Sequence, residues 1–102
     1  MRIVIPETGE LVSRRLEDAR RYRLFEIDGC MLLSEETFTP ESTELAADFR
    51  RRGVDLVIAG AIRSHTALSL RTARIELILG ARGAVREVLL RYLSGEVVGM
   101  EE

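Results

Sequence analysis

The 102-residue chain contains one cysteine, Cys30, and one histidine, His65, and it lacks lysine, asparagine, glutamine and tryptophan altogether. A single thiol excludes an internal disulfide. One thiol and one imidazole together exclude a Cys/His metal site built from one chain, and with it the four-thiolate ligation of an iron–sulfur cluster. No apolar run approaches the roughly 20 residues that a membrane span needs. The first residues lead straight into Arg2-Ile3-Val4-Ile5-Pro6 without signal-peptide architecture, so a cytoplasmic protein is expected. No phosphate-binding Walker loop, G-x-G-x-x-G fingerprint or Ser/His/Asp set is present. The expectation is a domain without catalytic activity. A net charge of −2 and only two tyrosines and three phenylalanines argue against nucleic acid as the partner.

What is present is a hydrophobic pattern of strands first and alternating helices and strands later. Residues 1–102 read as one domain, with no linker or repeat. Ile3-Val4-Ile5 is a short apolar strand that Pro6 should stop, and Leu11 to Arg20 reads as a loop with at most one helical turn. Arg21 to Ile27 and Cys30 to Phe38 bracket Asp28-Gly29, the signature of a hairpin with a type I′ turn. Thr39 as N-cap and Pro40 in the first turn open a helix that Gly53 ends. Val54 to Gly60 is nearly continuous in apolar residues, the pattern of a strand covered on both faces. Ser64 caps a second helix, and Ile75 to Gly80 is another strand. Val85, Val88, Leu89, Tyr92 and Leu93 form the stripe of a third helix before Gly95. Met100-Glu101-Glu102 reads as a tail. The order β-β-β-α-β-α-β-α predicts an α/β domain with a mixed sheet of about five strands and helices on both faces.

Three stretches in this order resemble the dinitrogenase iron–molybdenum cofactor biosynthesis domain family. Its first strand is similar to Met1-Arg2-Ile3-Val4-Ile5-Pro6, and its G-V-D-x-V-I-x-G segment to Gly53 through Gly60. Its final G-x-x-G-x-V-x-E and Y-x-x-G are similar to Gly80, Gly83, Val85, Glu87, Tyr92 and Gly95. The resemblance implies a ribonuclease H-like motif and a role among nitrogenase accessory proteins that carry the cofactor or a precursor cluster. It implies protein partners of cofactor assembly as well. The family's S-x-H-F-G-x-A, whose histidine is implicated in holding the cluster, is met here by Ser13-Arg14-Arg15-Leu16-Glu17-Asp18-Ala19. Arg15 stands at the histidine position, and a guanidinium has no lone pair to give a metal. The family's G-G-I-G-P loop is met by Gly60-Ala61-Ile62-Arg63-Ser64.

Ligands of open α/β sheets sit beyond the carboxyl ends of the parallel strands. The loops after the three expected parallel strands would bring Ser13, Arg14, Arg15, Gly60, Arg63, Ser64 and Arg82 to one edge. Guanidinium forks and helix N–H groups there suit an anion, such as the iron–molybdenum cofactor, a precursor cluster, or a small phosphate or carboxylate. The plainer alternative is that these arginines are solvated and paired with Glu7, Glu10, Glu17 and Asp18. His65, at the start of the second helix, is the one imidazole that could reach a metal. Cys30 is expected to be partly covered at a strand start. Arg20-Arg21, Arg23 and Arg50-Arg51-Arg52 are the basic clusters a nucleic acid would use, but Arg50 to Arg52 close a helix, where cations oppose its dipole. Two-metal hydrolysis would need grouped carboxylates, and the first strand is expected to carry none in its body. A diverged protein-interaction domain, using the hairpin from Cys30 to Phe38 and forming a homodimer, is the rival reading.

Overall fold

The opening apolar run forms a longer strand than the sequence suggests. In the computed structural model, which describes residues 1–41 and 44–96 and the backbone of 100–101, β1 spans Arg2–Thr8 and passes through Pro6. Proline interrupts a strand only where its missing N–H would be used. The Pro6 carbonyl accepts the Ser13 N–H at 2.9 Å, and the N–H and C=O of one strand residue face the same neighbour. The absent donor therefore lies beyond the stretch where Ile3 and Val4 pair with Leu56 and Val57. β2 (Leu11–Val12) folds back along Glu7 and Thr8, and Leu16–Asp18 is a single 3-10 turn.

β3 (Arg21–Asp28) and β4 (Met31–Phe38) form the expected hairpin, shifted by one residue. Asp28 pairs with Met31, so Gly29 and Cys30 make the turn. Gly29 has φ 62° while Cys30 does not share a positive φ, the pattern of a type II′ turn in place of I′. Cys30 is exposed there, not partly covered. α1 covers Leu45–Arg51 and begins well after Pro40. β4 continues to Phe38, and the buried Asp48 carboxylate accepts the Glu41 N–H at 2.9 Å, which holds the approach to the helix in a different shape. The remaining elements are β5 (Leu56–Ile58), α2 (Ser64–Thr72), β6 (Glu76–Leu79), α3 (Val85–Leu93) and β7 (Met100–Glu101).

The sheet order is β4-β3-β1-β5-β6-β7, with β2 paired to β1 off that path. The five expected strands are present in the ribonuclease H-like order. β2 and β7 are additions, and the expected tail supplies the second of them. β5 and β6 run parallel to β1, while β3 is antiparallel to it. Strand alternation sorts the apolar side chains onto two faces. Ile3, Ile5, Phe25, Ile27, Leu56 and Ile58 pack against Val85, Val88 and Leu89 of α3. Val4, Tyr22, Leu24 and Val57 pack with Leu16, Phe49 and Leu70 on the side of α1 and α2. No helix among the described residues is long and apolar enough to cross a membrane.

The three α-helices among the described residues end alike. After α1, Val54 N–H reaches the Phe49 carbonyl; after α2, Ile75 reaches Leu70; after α3, Glu96 reaches Arg91. These are Schellman bonds, which need a left-handed residue just past the helix. Gly53 (φ 72°) and Gly95 (φ 82°) supply it for α1 and α3, but Arg74 (φ 63°) does so for α2. A side chain in that conformation costs about 1–2 kcal/mol, and glycine returns about half of the gain as unfolded-chain entropy. Arg74→Gly should therefore raise stability by about 0.5–1 kcal/mol in urea denaturation.

Candidate functional site

Three loops meet at the carboxyl edge of β1, β5 and β6, laced by backbone hydrogen bonds. Arg14 carbonyl accepts from Ala61 N–H and Ala61 carbonyl from Leu16 N–H, each at 2.9 Å. Gly80 N–H donates to the Gly60 carbonyl at 2.8 Å, and Val12 N–H to the Gly83 carbonyl at 2.9 Å. The Tyr22 hydroxyl donates to the Leu16 carbonyl at 2.7 Å and pins the 3-10 turn from below. Burial, with the negative charges of Glu17 and Asp18, pushes that phenol up to about 12.

Between these loops lies an open depression of about 570 Å³, lined by Arg14, Gly60, Ala61, Gly80, Arg82 and Gly83 among others. Arg14 and Arg82 are exposed and make no ion pair with any described residue. Both guanidinium groups are available to a ligand. The sequence-predicted set divides here. Arg14, Gly60 and Arg82 line the depression, whereas Arg15, Arg63, Ser64 and His65 are exposed and lie outside its lining. Arg15 bridges to Ala61 through its backbone. Ser13 is buried, with its Oγ 2.6 Å from Thr8 Oγ1, and belongs to the scaffold. Gly60 keeps its place for a steric reason. A Cβ there would lie 2.7 Å from the Arg14 carbonyl oxygen.

The start of α2 is partly engaged from within the chain. Ser64 is its first helical residue, not its cap; Arg63 holds the cap position and no side chain of its own caps the helix. Instead the Glu17 carboxylate accepts the Arg63 backbone N–H at 2.9 Å. Burial alone would raise this carboxyl, but bonds from Arg63 N–H, Thr66 and its own backbone, with the Arg63 charge, outweigh it. They hold Glu17 below the usual carboxylate range. A lowered folded-state pKa means stability that is present above the unfolded value and lost as pH falls through the folded one. Glu17→Gln should lose on the order of 1 kcal/mol at neutral pH. Its urea midpoint should approach that of the parent as acid protonates Glu17.

The sequence places Glu7 in the loop after the first strand, and the structure does not. It lies within the body of β1, contrary to expectation, and is fully buried. Its Oε1 is 2.8 Å from Arg21 Nε, and its Oε2 is 2.8 Å from Arg23 Nε. The second contact is close but poorly aligned for a hydrogen bond, so it counts as an ion pair only. Arg23 continues to Glu35, which Arg86 of α3 reaches at 3.0 Å. The alternation of Ile3, Ile5 and Glu7 onto one face, once β1 was allowed past Pro6, was the signal that could have found it.

Metal ligands do not gather at this edge. Among the described residues no three His, Cys, Asp or Glu are grouped as a metal site. Cys30 sits in the β3–β4 turn, at the far end of β3 from the Arg21–Glu7 pairing. The arginine clusters are partly engaged within the chain. Arg51 and Arg52 contact Asp48 at 3.6 and 3.1 Å, and the Arg52 guanidinium lies 3.8 Å over the Phe38 ring.

Residues 1–95 match the family described as dinitrogenase iron-molybdenum cofactor. No curated protein matches the chain. Among solved structures, a proposed dinitrogenase from Methanocaldococcus jannaschii is similar at 21% identity and TM-score 0.80, covering 95% of this chain and 91% of that one. A proposed NifB protein from Thermotoga is similar at 17% identity and TM-score 0.77, covering 96% and 91%. The apo form of the orange protein from Desulfovibrio gigas is similar at 20% identity and TM-score 0.74, covering 94% and 89%. At these identities the likeness is one of fold.

Proposed function

The chain belongs to the dinitrogenase iron–molybdenum cofactor family, and from that premise we propose that it is a non-catalytic binding module for an anionic cargo. The cargo is the iron–molybdenum cofactor, a precursor cluster or a chemically similar anion, held for its protein partners in cofactor assembly. The observation that carries this reading is the pair of unpaired guanidinium groups, Arg14 and Arg82, on the depression at the strand edge. The donor chemistry there fits charge and not coordination. A guanidinium offers planar N–H forks to sulfide, carboxylate or phosphate and no lone pair to a metal. Arg15 replaces the one ring that the family pattern would have offered.

The test is anaerobic mixing with an isolated molybdenum–iron–sulfur cluster precursor, followed by gel filtration with absorbance detection. The parent protein should carry the chromophore at micromolar concentration. An Arg14→Ala, Arg82→Ala double variant should bind about 100-fold more weakly, about tenfold for each charge-assisted contact. No retention by the parent, or equal retention by the variant, would count decisively against the reading.

A second reading, a diverged protein-interaction domain, is favoured by one feature. Met31, Leu32 and Leu33 stand 68%, 42% and 56% exposed on β4, the strand at one end of the sheet. A homodimer through this strand predicts a doubled mass on sizing, and a strictly monomeric species would remove that version.

A further inference from the structure

The depression at the strand edge has a second chemical character beside its charge. Among its described lining residues, Arg14 and Arg82 carry the only polar side chains. The rest are Leu11, Val12, three glycines and two alanines. Leu11 stands 57% exposed.

The way Leu11 is held sets it apart from a mobile surface leucine. It pairs with Thr8 of β1 on one side and bridges to Ala84 on the other. That bridge closes with Val12 N–H on the Gly83 carbonyl at 2.9 Å and Val85 N–H on the Glu10 carbonyl at 3.0 Å. Val12 packs against the α3-side cluster, so strand alternation turns Leu11 to the opposite, open side. Its place on the depression is built into the backbone.

This lining treats anions unequally. A compact oxyanion such as phosphate or sulfate holds water on every side. Two guanidinium forks replace part of that shell, but no other side chain of the described lining donates a hydrogen bond. Oxygens turned toward Leu11 and the alanines lose water without return, which is costly. An anion with an apolar or weakly hydrated face loses little there and gains contact with Leu11. Guanidinium is itself weakly hydrated, so it pairs readily with such an anion.

We propose that Leu11 makes the depression selective for anions that carry an apolar or weakly hydrated face, over compact hydrated oxyanions. This selectivity rests on the depression being an anion site, and the experiment below separates the two.

Isothermal titration calorimetry of the full chain compares phenyl phosphate with inorganic phosphate at about pH 8, where both are dianions. The parent should bind phenyl phosphate about tenfold more tightly, the worth of about 50 Å² of apolar contact. Leu11→Ser should bind the two equally, with phosphate affinity unchanged, and Leu11→Met should keep the preference. Because Leu11 is exposed, the urea midpoint of Leu11→Ser should stay at that of the parent, which shows the variant is folded. The Arg14→Ala, Arg82→Ala variant should lose both ligands. Equal affinity of the parent for the two, or a preference that survives in Leu11→Ser, would overturn the selectivity and leave the anion site standing. No binding of either by the parent, or full binding by the double arginine variant, would overturn both.

Discussion

Glu7→Ala should lower the stability of this domain by about 3–5 kcal/mol, the range for breaking a buried ion pair from one side. The carboxylate is fully buried, and its two guanidinium partners differ in how much they need it. Arg21 is half exposed at 50% and can return to water, so its pair contributes little. Arg23 is only 15% exposed, so its permanent charge relies on Glu7 and Glu35 for compensation. Burial works against the Arg23 charge, but the two carboxylates beside it outweigh that effect and hold the guanidinium above its ordinary value. Removing Glu7 leaves that cation in a poorly solvated place with one partner. Small domains have only about 5–15 kcal/mol in total, so the variant should sit near the folding threshold. Urea denaturation measures the difference. Arg86→Ala is the control, because Arg86 is 68% exposed at the outer end of the same network and should lose under about 1 kcal/mol. A Glu7→Ala loss no larger than the control's would mean that the network is worth no more than a surface pair.

Gly60→Ala should remove both stability and the site. The new Cβ would lie 2.7 Å from the Arg14 carbonyl oxygen and 3.2 Å from that of Ser13, and both are backbone atoms. A flexible side chain could swing away, but these cannot without giving up the Ala61 to Arg14 hydrogen bond of 2.9 Å. Overpacking of this kind costs about 1–3 kcal/mol. Because Arg14 is carried on the displaced backbone, its guanidinium should also leave its position across from Arg82. Cargo retention is therefore expected to fall as far as in the Arg14→Ala, Arg82→Ala variant, although Gly60→Ala removes no charge. Retention at the parent level, with a reduced urea midpoint, would show that the site tolerates the shift and that Arg14 does not set its geometry.

Glu17 and Glu7 show why the site was only partly legible in the sequence. The sequence offers both as loop carboxylates, with pairing to Arg14, Arg15, Arg63 or Arg82 as the plainer alternative to a ligand site. Glu17 instead takes a backbone N–H at the start of α2, from a residue 46 positions away in the chain. Glu7 becomes buried because β1 continues past Pro6. Neither outcome follows from local pattern, since each depends on which element arrives opposite the carboxylate. The same holds for Arg14 and Arg15. They are adjacent, equally charged and equally exposed, yet only Arg14 lines the depression. Successive residues on an extended segment face opposite ways, and the bridge from Arg15 to Ala61 fixes which of the two turns inward.

The apolar periodicity was enough to determine the layered α/β fold, the hairpin, the parallel crossovers and the glycines that stop α1 and α3. These are short-range consequences of which residues bury a face and which tolerate a positive φ. The loop-level geometry came only with tertiary structure: the continuation of β1, the late start of α1, the added strands β2 and β7, the bond of Glu17 to the cap residue of α2, and the placing of Arg14 and Arg82 on one depression. Those features rest on contacts between segments far apart in the chain. Such contacts are decided by the packing of the whole sheet, which no single stretch of sequence contains.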